Sequence, residues 1–169
     1  AIKGSTATEA FKKIHDAGIK DPNAVKFISR GDNSGTHSKE KVIWKEAGFN
    51  YEDIQKSGKW YVEAGKGMGP CLLMASETQA YILADISTFL AYNKKSNLNI
   101  LPLVEQDALF LNVYAVIAIN PGKNPNAKID IANQFINWLI GPEVQTIMGT
   151  YGKAEYGRSL FNPIARGLE

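Results

Sequence analysis

The sequence predicts an α/β fold on a mostly parallel sheet, and two observations carry that expectation. Short runs rich in β-branched and aromatic residues alternate with stretches whose apolar residues recur at helical spacing. Twice in succession, moreover, a short strand pattern runs into a glycine-bearing turn and then a helix pattern. With 44% hydrophobic residues in 169, the chain has enough apolar material to bury a core.

Taken in order, Ala7, Ala10, Phe11 and Ile14 lie at helical spacing, and Gly18 is read as the stop of that first helix. Asp21-Pro22-Asn23 signals a turn, and Ala24 to Ser29 reads as a buried strand. The polar stretch Arg30 to Thr36 follows at once, then a helix from about His37 to Ala47. The unit recurs with strand Trp60 to Glu63, glycine loop Gly65-Lys66-Gly67-Met68-Gly69, and an apolar helical stretch from Cys71 to Gln79. Tyr81 to Ala84 reads as a strand, Ser87 to Lys94 as a helix, and Asn97 to Val104 as a strand interrupted by Pro102. Val113 to Asn120 carries the strongest strand pattern in the chain, closed by Pro121-Gly122. Asp130 opens a helix with Ala132, Phe135, Ile136 and Leu139 on one face. Gly141-Pro142 closes it and opens another carrying Val144, Ile147, Met148 and Tyr151.

Composition removes several function classes. Nineteen Lys and Arg against seventeen Asp and Glu give a net charge of +2, far from the basic stripe that displaces counterions from nucleic acid. The longest apolar stretch is about half of the ~20 residues a membrane span needs. A single cysteine, Cys71, excludes an internal disulfide and a cysteine-based zinc cluster. His15 and His37 lack metal-ligand spacing, and the sequence points to no metal and no cofactor. His37 lies three residues after Ser34, but on the first turn of the same helix it points away, which argues against a Ser–His nucleophile. His15 is read as a surface residue, Cys71 as a small buried hydrophobe, and Trp44, Trp60 and Trp138 as core.

The chemistry concentrates between Ser29 and Thr36. This stretch joins the C-terminal end of a strand to the N-terminus of a helix, where open α/β sheets bind ligands and unpaired N–H groups with the helix dipole attract anions. Gly31 and Gly35 allow close backbone approach. Ser34 and Thr36 add hydroxyl donors, and Arg30 offers a planar fork of N–H groups suited to a tetrahedral oxyanion. Asp32 is expected to pair with and orient Arg30. Gly67, Met68 and Gly69 form a second candidate anion loop before a helix, without the pattern of a P-loop or a dinucleotide fingerprint. In both loops, plain helix capping and turn formation are the competing structural roles.

These residues carry a resemblance. The blocks Phe27 to Glu40, Lys45 to Gly48, Gly65 to Gly69, Met74 to Glu77, Val113 to Pro121, Phe135 to Leu139, Gly141 to Glu143 and Leu160 to Pro163 resemble the periplasmic tungstate-binding proteins of ABC importers, within the type II periplasmic-binding-protein superfamily. The resemblance implies that Arg30 makes the charged contact to the oxyanion, while Thr36, Ser34 and the Gly35 amide donate hydrogen bonds. It implies tungstate first and molybdate next, delivery to an ABC permease, a periplasmic or extracellular location reached by the membrane only through that permease, and no catalysis. The Ser-Gly-Thr spacing is also similar to phosphate-binding members, so a phosphate or sulfate binder is an alternative, as is the effector domain of a transcription regulator.

In this family the other half of the anion site is a Thr/Ser-rich turn near the mature N-terminus, which nothing before Ile28 supplies. The chain is thus expected to be a C-terminal fragment. Residues 1–107 would form the anion-binding lobe, and 108–169 a strand-helix-helix segment that returns to the other lobe. Val116, Phe135, Ile136 and Leu139 would then lack cover, which predicts either dimerisation that covers those faces or an altered packing of the C-terminal helices.

Overall fold

In the computed structural model, which describes residues 2–165, strands β1 (Phe27–Ser29), β2 (Tyr61–Glu63) and β3 (Tyr81–Ile82) pair in parallel in the order β2-β1-β3. Ser29 stands opposite Glu63, and Phe27 opposite both Tyr61 and Tyr81. The expected parallel α/β arrangement is therefore present, with β1 shorter than the Ala24–Ser29 reading. Around the sheet lie α1 (Ala7–Lys20), α2 (Gly35–Glu46), α3 (Tyr51–Lys56), α4 (Met68–Thr78) and α5 (Ile86–Ser96). A short 3-10 helix (Ala108–Phe110) follows, and then α6 (Ile129–Ile140), α7 (Pro142–Thr150) and α8 (Lys153–Tyr156). The chain divides into two units, Ala1–Leu111 and Asn112–Glu169.

Because successive residues of a strand face opposite sides, the central strand feeds two cores. Phe27 enters an aromatic cluster with Phe11 of α1, Trp44 of α2, Trp60 and Tyr61, in which the Phe11 and Trp44 rings meet edge-on at 4.5 Å. Ile28 packs on the other side with Cys71, Ala75 and Ala80. Cys71 is fully buried there, and burial raises its thiol pKa, which leaves it a packing residue.

Gly18 does not end α1. The helix runs on to Lys20, capped by Asp21, after starting at Thr6 with a reciprocal Thr6–Glu9 capping box. Gly18 is there for space: a Cβ on it would lie 2.4 Å from the ring of Trp60, which is itself completely buried. Gly to Ala within a helix ordinarily stabilises by about 0.5–1 kcal/mol. Here the sign reverses, and Gly18→Ala is expected to lower stability by about 1–3 kcal/mol through overpacking. Urea unfolding of variant and parent checks this, and a variant as stable as the parent would show that Trp60 can yield.

Other expectations need correction. Residues 97–104 form no strand, because side chains of α4 and its C-cap take up the backbone at Asn99: the Asn99 N–H donates to Ser76 Oγ (2.7 Å), and the Asn99 carbonyl accepts from Gln79 Nε2 (2.9 Å). The strongest strand pattern, Val113 to Asn120, pairs with no strand among the described residues, and Tyr114 and Ile117 are more than 80% exposed. A strand pattern describes fit to a pleated neighbour and supplies no ladder of its own. Helix α3, unforeseen, begins at Asn50, whose side chain accepts the Glu52 N–H. Helix α4 starts at Met68, earlier than Cys71, with Gly67 as its cap. Trp138, read as core, is 58% exposed in its unit, and His15 is half-buried against the Phe49 ring.

Candidate functional site

The C-terminal ends of the three strands point the same way, and each leads toward the start of a helix: α2 after β1, α4 after β2, α5 after β3. Each helix start presents N–H groups without intrahelical acceptors. The start of α5 is already satisfied. Asp85 caps it, its Oδ1 accepting from the Thr88 N–H (2.8 Å) and the Ser87 hydroxyl (2.7 Å). Burial works to raise the Asp85 pKa, but these bonds outweigh it and hold the pKa below the usual range, so a carboxylate sits where an anion would go. The starts of α2 and α4 carry no acidic residue in their first turns.

Those two starts are adjacent, since β1 and β2 are neighbours. The Ala64 N–H donates to the Ser29 carbonyl (2.9 Å) and the Lys66 N–H to the Arg30 carbonyl (3.3 Å), so the two predicted loops run side by side. Gly31 has φ +60 and abuts Glu63, where a Cβ would come within 2.8 Å of the Glu63 side chain. Glycines 35 and 67 are different: a Cβ on either would meet nothing within 4 Å, so no internal contact calls for the missing side chain.

Arg30 Nη2 donates to Asp32 Oδ2 at 2.6 Å, with both side chains about four-fifths covered, while Arg30 Nε is buried without an acceptor among the described residues. Asp32 Oδ1 accepts the Ser34 N–H (3.2 Å). Partial burial acts to raise the Asp32 pKa, but the bonds from Ser34 and Arg30 outweigh it and keep the group a carboxylate. Ser34 is the N-cap of α2, its Oγ accepting the His37 N–H (3.3 Å), which leaves its own proton free to donate. Gly35 and Thr36 occupy the first two helical positions with open amides. Arg30, Ser34, Gly35 and Thr36 therefore stand at one helix start. In the second loop Gly67 is exposed. The Met68 side chain turns into a core with Leu72, Phe89 and Leu98, and Gly69 is pressed against the Tyr92 ring, so these two residues offer only backbone amides.

Behind the first loop lies a polar chain that the sequence reading did not assemble. The Asn33 N–H donates to His37 Nδ1 (2.9 Å), His37 Nε2 lies 2.6 Å from the Tyr51 hydroxyl, and Tyr51 donates to Glu63 Oε1 (2.6 Å). Tyr61 and Trp44 both donate to buried Glu40 Oε1. Burial lifts Glu40 to about 7, raises both tyrosines above their ordinary value, and lowers His37. The signal was present in the helix itself, because His37, Glu40 and Trp44 recur at spacings of three and four on one buried face. Both ring nitrogens of His37 are engaged, by Asn33 and Tyr51, and Ser34 Oγ meets only the His37 backbone N–H, so no nucleophile–base pair forms among the described residues. Among the described residues no three His, Cys, Asp or Glu side chains converge to hold a metal ion.

A family model for the PBP superfamily domain matches residues 2–143. The chain belongs to the PBP superfamily. Within that superfamily it is 46% identical over 156 residues to the tungstate-binding protein TupA of Peptoclostridium acidaminophilum, covering 92% of this chain and 50% of that protein. Its fold is similar to the tungstate-binding protein TupA from Desulfovibrio alaskensis G20, with TM-score 0.82, 33% identity, and coverage of 98% of this chain and 63% of that one. The tungstate ABC transporter structure from Geobacter sulfurreducens is similar at TM-score 0.63 and 40% identity, over 88% of this chain and 58% of that one. The PBP chain thus spans about half the length of the curated relative it matches.

Proposed function

We propose that this chain supplies one side of the binding site of a solute-binding protein that captures a tetrahedral oxyanion, tungstate first and molybdate next, and hands it to an ABC permease. The observation that carries this reading is the convergence at α2 of a carboxylate-oriented arginine with the Ser34 and Thr36 hydroxyls and the open amides of Gly35 and Thr36, beside the start of α4. Gly67, Met68 and Gly69 add backbone donors from the second loop. Both Asp32 oxygens already accept, from Arg30 and Ser34, so donors dominate the lining and the remaining Asp32 lone pairs are the acceptor nearest to it. A fully ionised dianion suits such a lining, whereas a protonated phosphate needs an acceptor for its own proton.

The site performs no catalysis: it binds, and closure with a second lobe excludes water. Residues 1–107 form the anion-binding lobe in this reading. The unpaired segment Val113 to Asn120 and the exposed Phe135 belong against the other lobe, and when that lobe is absent they drive dimerisation. The location is periplasmic or extracellular, in keeping with the transport proteins it is similar to, and among the described residues no helix is long and apolar enough to cross a membrane.

Calorimetry of this chain and of the full-length protein carrying it, against tungstate, molybdate, sulfate and phosphate, tests the reading. Tungstate and molybdate are expected to bind the full-length protein most tightly, and the isolated chain far more weakly because half of the donors are missing. Phosphate binding tighter than tungstate would overturn the assignment of the anion, and equal affinities of the two proteins would overturn the half-site.

A further inference from the structure

The turn that presents Ser34 to Thr36 is held from behind. Asn33 sits in the left-handed region at φ +56, a conformation that L residues other than asparagine and aspartate rarely adopt. Two bonds fasten it: Lys41 Nζ donates to Asn33 Oδ1 (3.0 Å), and the Asn33 backbone N–H donates to His37 Nδ1 (2.9 Å). A backbone amide can only donate, so Nδ1 must carry a lone pair. The ring's proton is then on Nε2, directed at the Tyr51 hydroxyl (2.6 Å), which in turn donates a hydrogen bond to Glu63 Oε1 (2.6 Å). His37 is only 3% exposed, so the ring has little room to turn and choose another partner.

We propose that His37, as the neutral ring with a bare Nδ1, is the positioning residue of the oxyanion loop: it clamps the Asn33 amide and thereby fixes the Ser34, Gly35 and Thr36 donors. This rests on the oxyanion reading above. Protonating Nδ1 places an N–H against the Asn33 N–H, and the clamp opens. The charged and titratable groups around the ring are Lys41 and Glu40 on its own helix, Tyr51 on α3, Glu63 and Tyr61 on β2, and Arg30 and Asp32 in the loop. Tyr61, which donates to Glu40, is linked to the ring by way of Tyr51, whose hydroxyl lies 3.0 Å from that of Tyr61. Burial and Lys41 lower the His37 pKa, while Glu63 and Asp32 oppose them. The neutral clamp is therefore intact at neutral pH, and its loss begins below the ordinary histidine range of about 6.5.

The test compares tungstate affinity in the full-length protein, by calorimetry between pH 5.5 and 8, for wild type, His37→Phe and His37→Asn. Hydrogen exchange at the Asn33 amide is followed in the same samples. Asparagine places Oδ1 where Nδ1 stood and cannot be protonated there. His37→Phe is expected to bind at least tenfold more weakly at pH 7.5, with far-UV circular dichroism unchanged and the Asn33 amide exchanging faster. His37→Asn is expected to retain most of the affinity at pH 7.5 and to hold it on acidification, while the wild type weakens. A His37→Phe protein that binds as the wild type does, or a His37→Asn protein with the wild-type pH profile, overturns the proposal. A wild type that binds none of the oxyanions overturns the functional reading itself. The exchange of the Asn33 amide then judges the clamp separately, and an amide indifferent to both variants refutes it.

Discussion

Arg30→Ala is expected to weaken tungstate binding to the full-length protein by more than a hundredfold, the largest effect of any single substitution at the site. Hydrogen bonds to a charged partner are worth about 1.5–3 kcal/mol each, and a guanidinium facing a tetrahedral dianion makes two of them at once. Losing two such bonds corresponds to at least ~3 kcal/mol, or over two orders of magnitude in Kd. A second effect adds to the first. Asp32 now gives one oxygen to Arg30 at 2.6 Å, and without that partner its negative charge faces the anion unpaired. The fold itself should tolerate the change, because the Arg30 side chain is partly exposed and the cores draw on Phe27 and Ile28 of the adjoining strand. Arg30→Lys keeps a charge but loses the planar fork and its pairing with Asp32, so it should fall between wild type and alanine. Calorimetry gives all three constants, and an Arg30→Ala protein with wild-type affinity would show that the anion binds elsewhere.

Much of this site is legible in the sequence because its groups are contiguous. Arg30, Asp32, Ser34, Gly35 and Thr36 fall in seven residues between a strand and a helix, and backbone rules alone place their donors together. The pairing of Arg30 with Asp32 follows from charge and proximity, and the structure shows it. What contiguity cannot supply is the partner from elsewhere in the chain. Tyr51 and Glu63 meet His37 only after α3 and β2 have packed, and no local pattern forecasts the meeting. Gly18 shows the same limit: its role is set by Trp60, more than forty residues away.

The second unit shows why a strong local pattern can mislead. Val113, Tyr114, Ile117 and Ile119 have the composition of a buried strand and are exposed, since a strand becomes one only where another lies alongside. The reverse holds for Met68 and Gly69, whose place in a glycine loop suggests a ligand although a core and a tyrosine ring take up their side-chain space. Asp85 was outside the sequence reading altogether. Its position after β3 is informative only once the strand order places the start of α5 on the same sheet edge.

Glu40 supplies the second large effect, on stability. The residue is 2% exposed, with Tyr61 and Trp44 donating to one carboxyl oxygen and no cation bonded to it among the described residues, and burial lifts its pKa from 4.5 to about 7. Between those two values the folded protein holds a proton that the unfolded chain has lost. Stability therefore falls as pH rises, and at about 1.4 kcal/mol per unit the loss accumulates to about 3 kcal/mol above pH 7. Glutamine keeps an oxygen to accept from Tyr61 and Trp44 and carries no charge to bury. Glu40→Gln should thus be close to wild type in stability near pH 5 and more stable near pH 8 by about 2–3 kcal/mol. Urea unfolding of both proteins at the two pH values measures the difference directly, and contributions from His37, Asp32 and Glu63 largely cancel because both proteins share them. A gap that stays constant between pH 5 and pH 8 would mean that Glu40 titrates as an ordinary glutamate despite its burial.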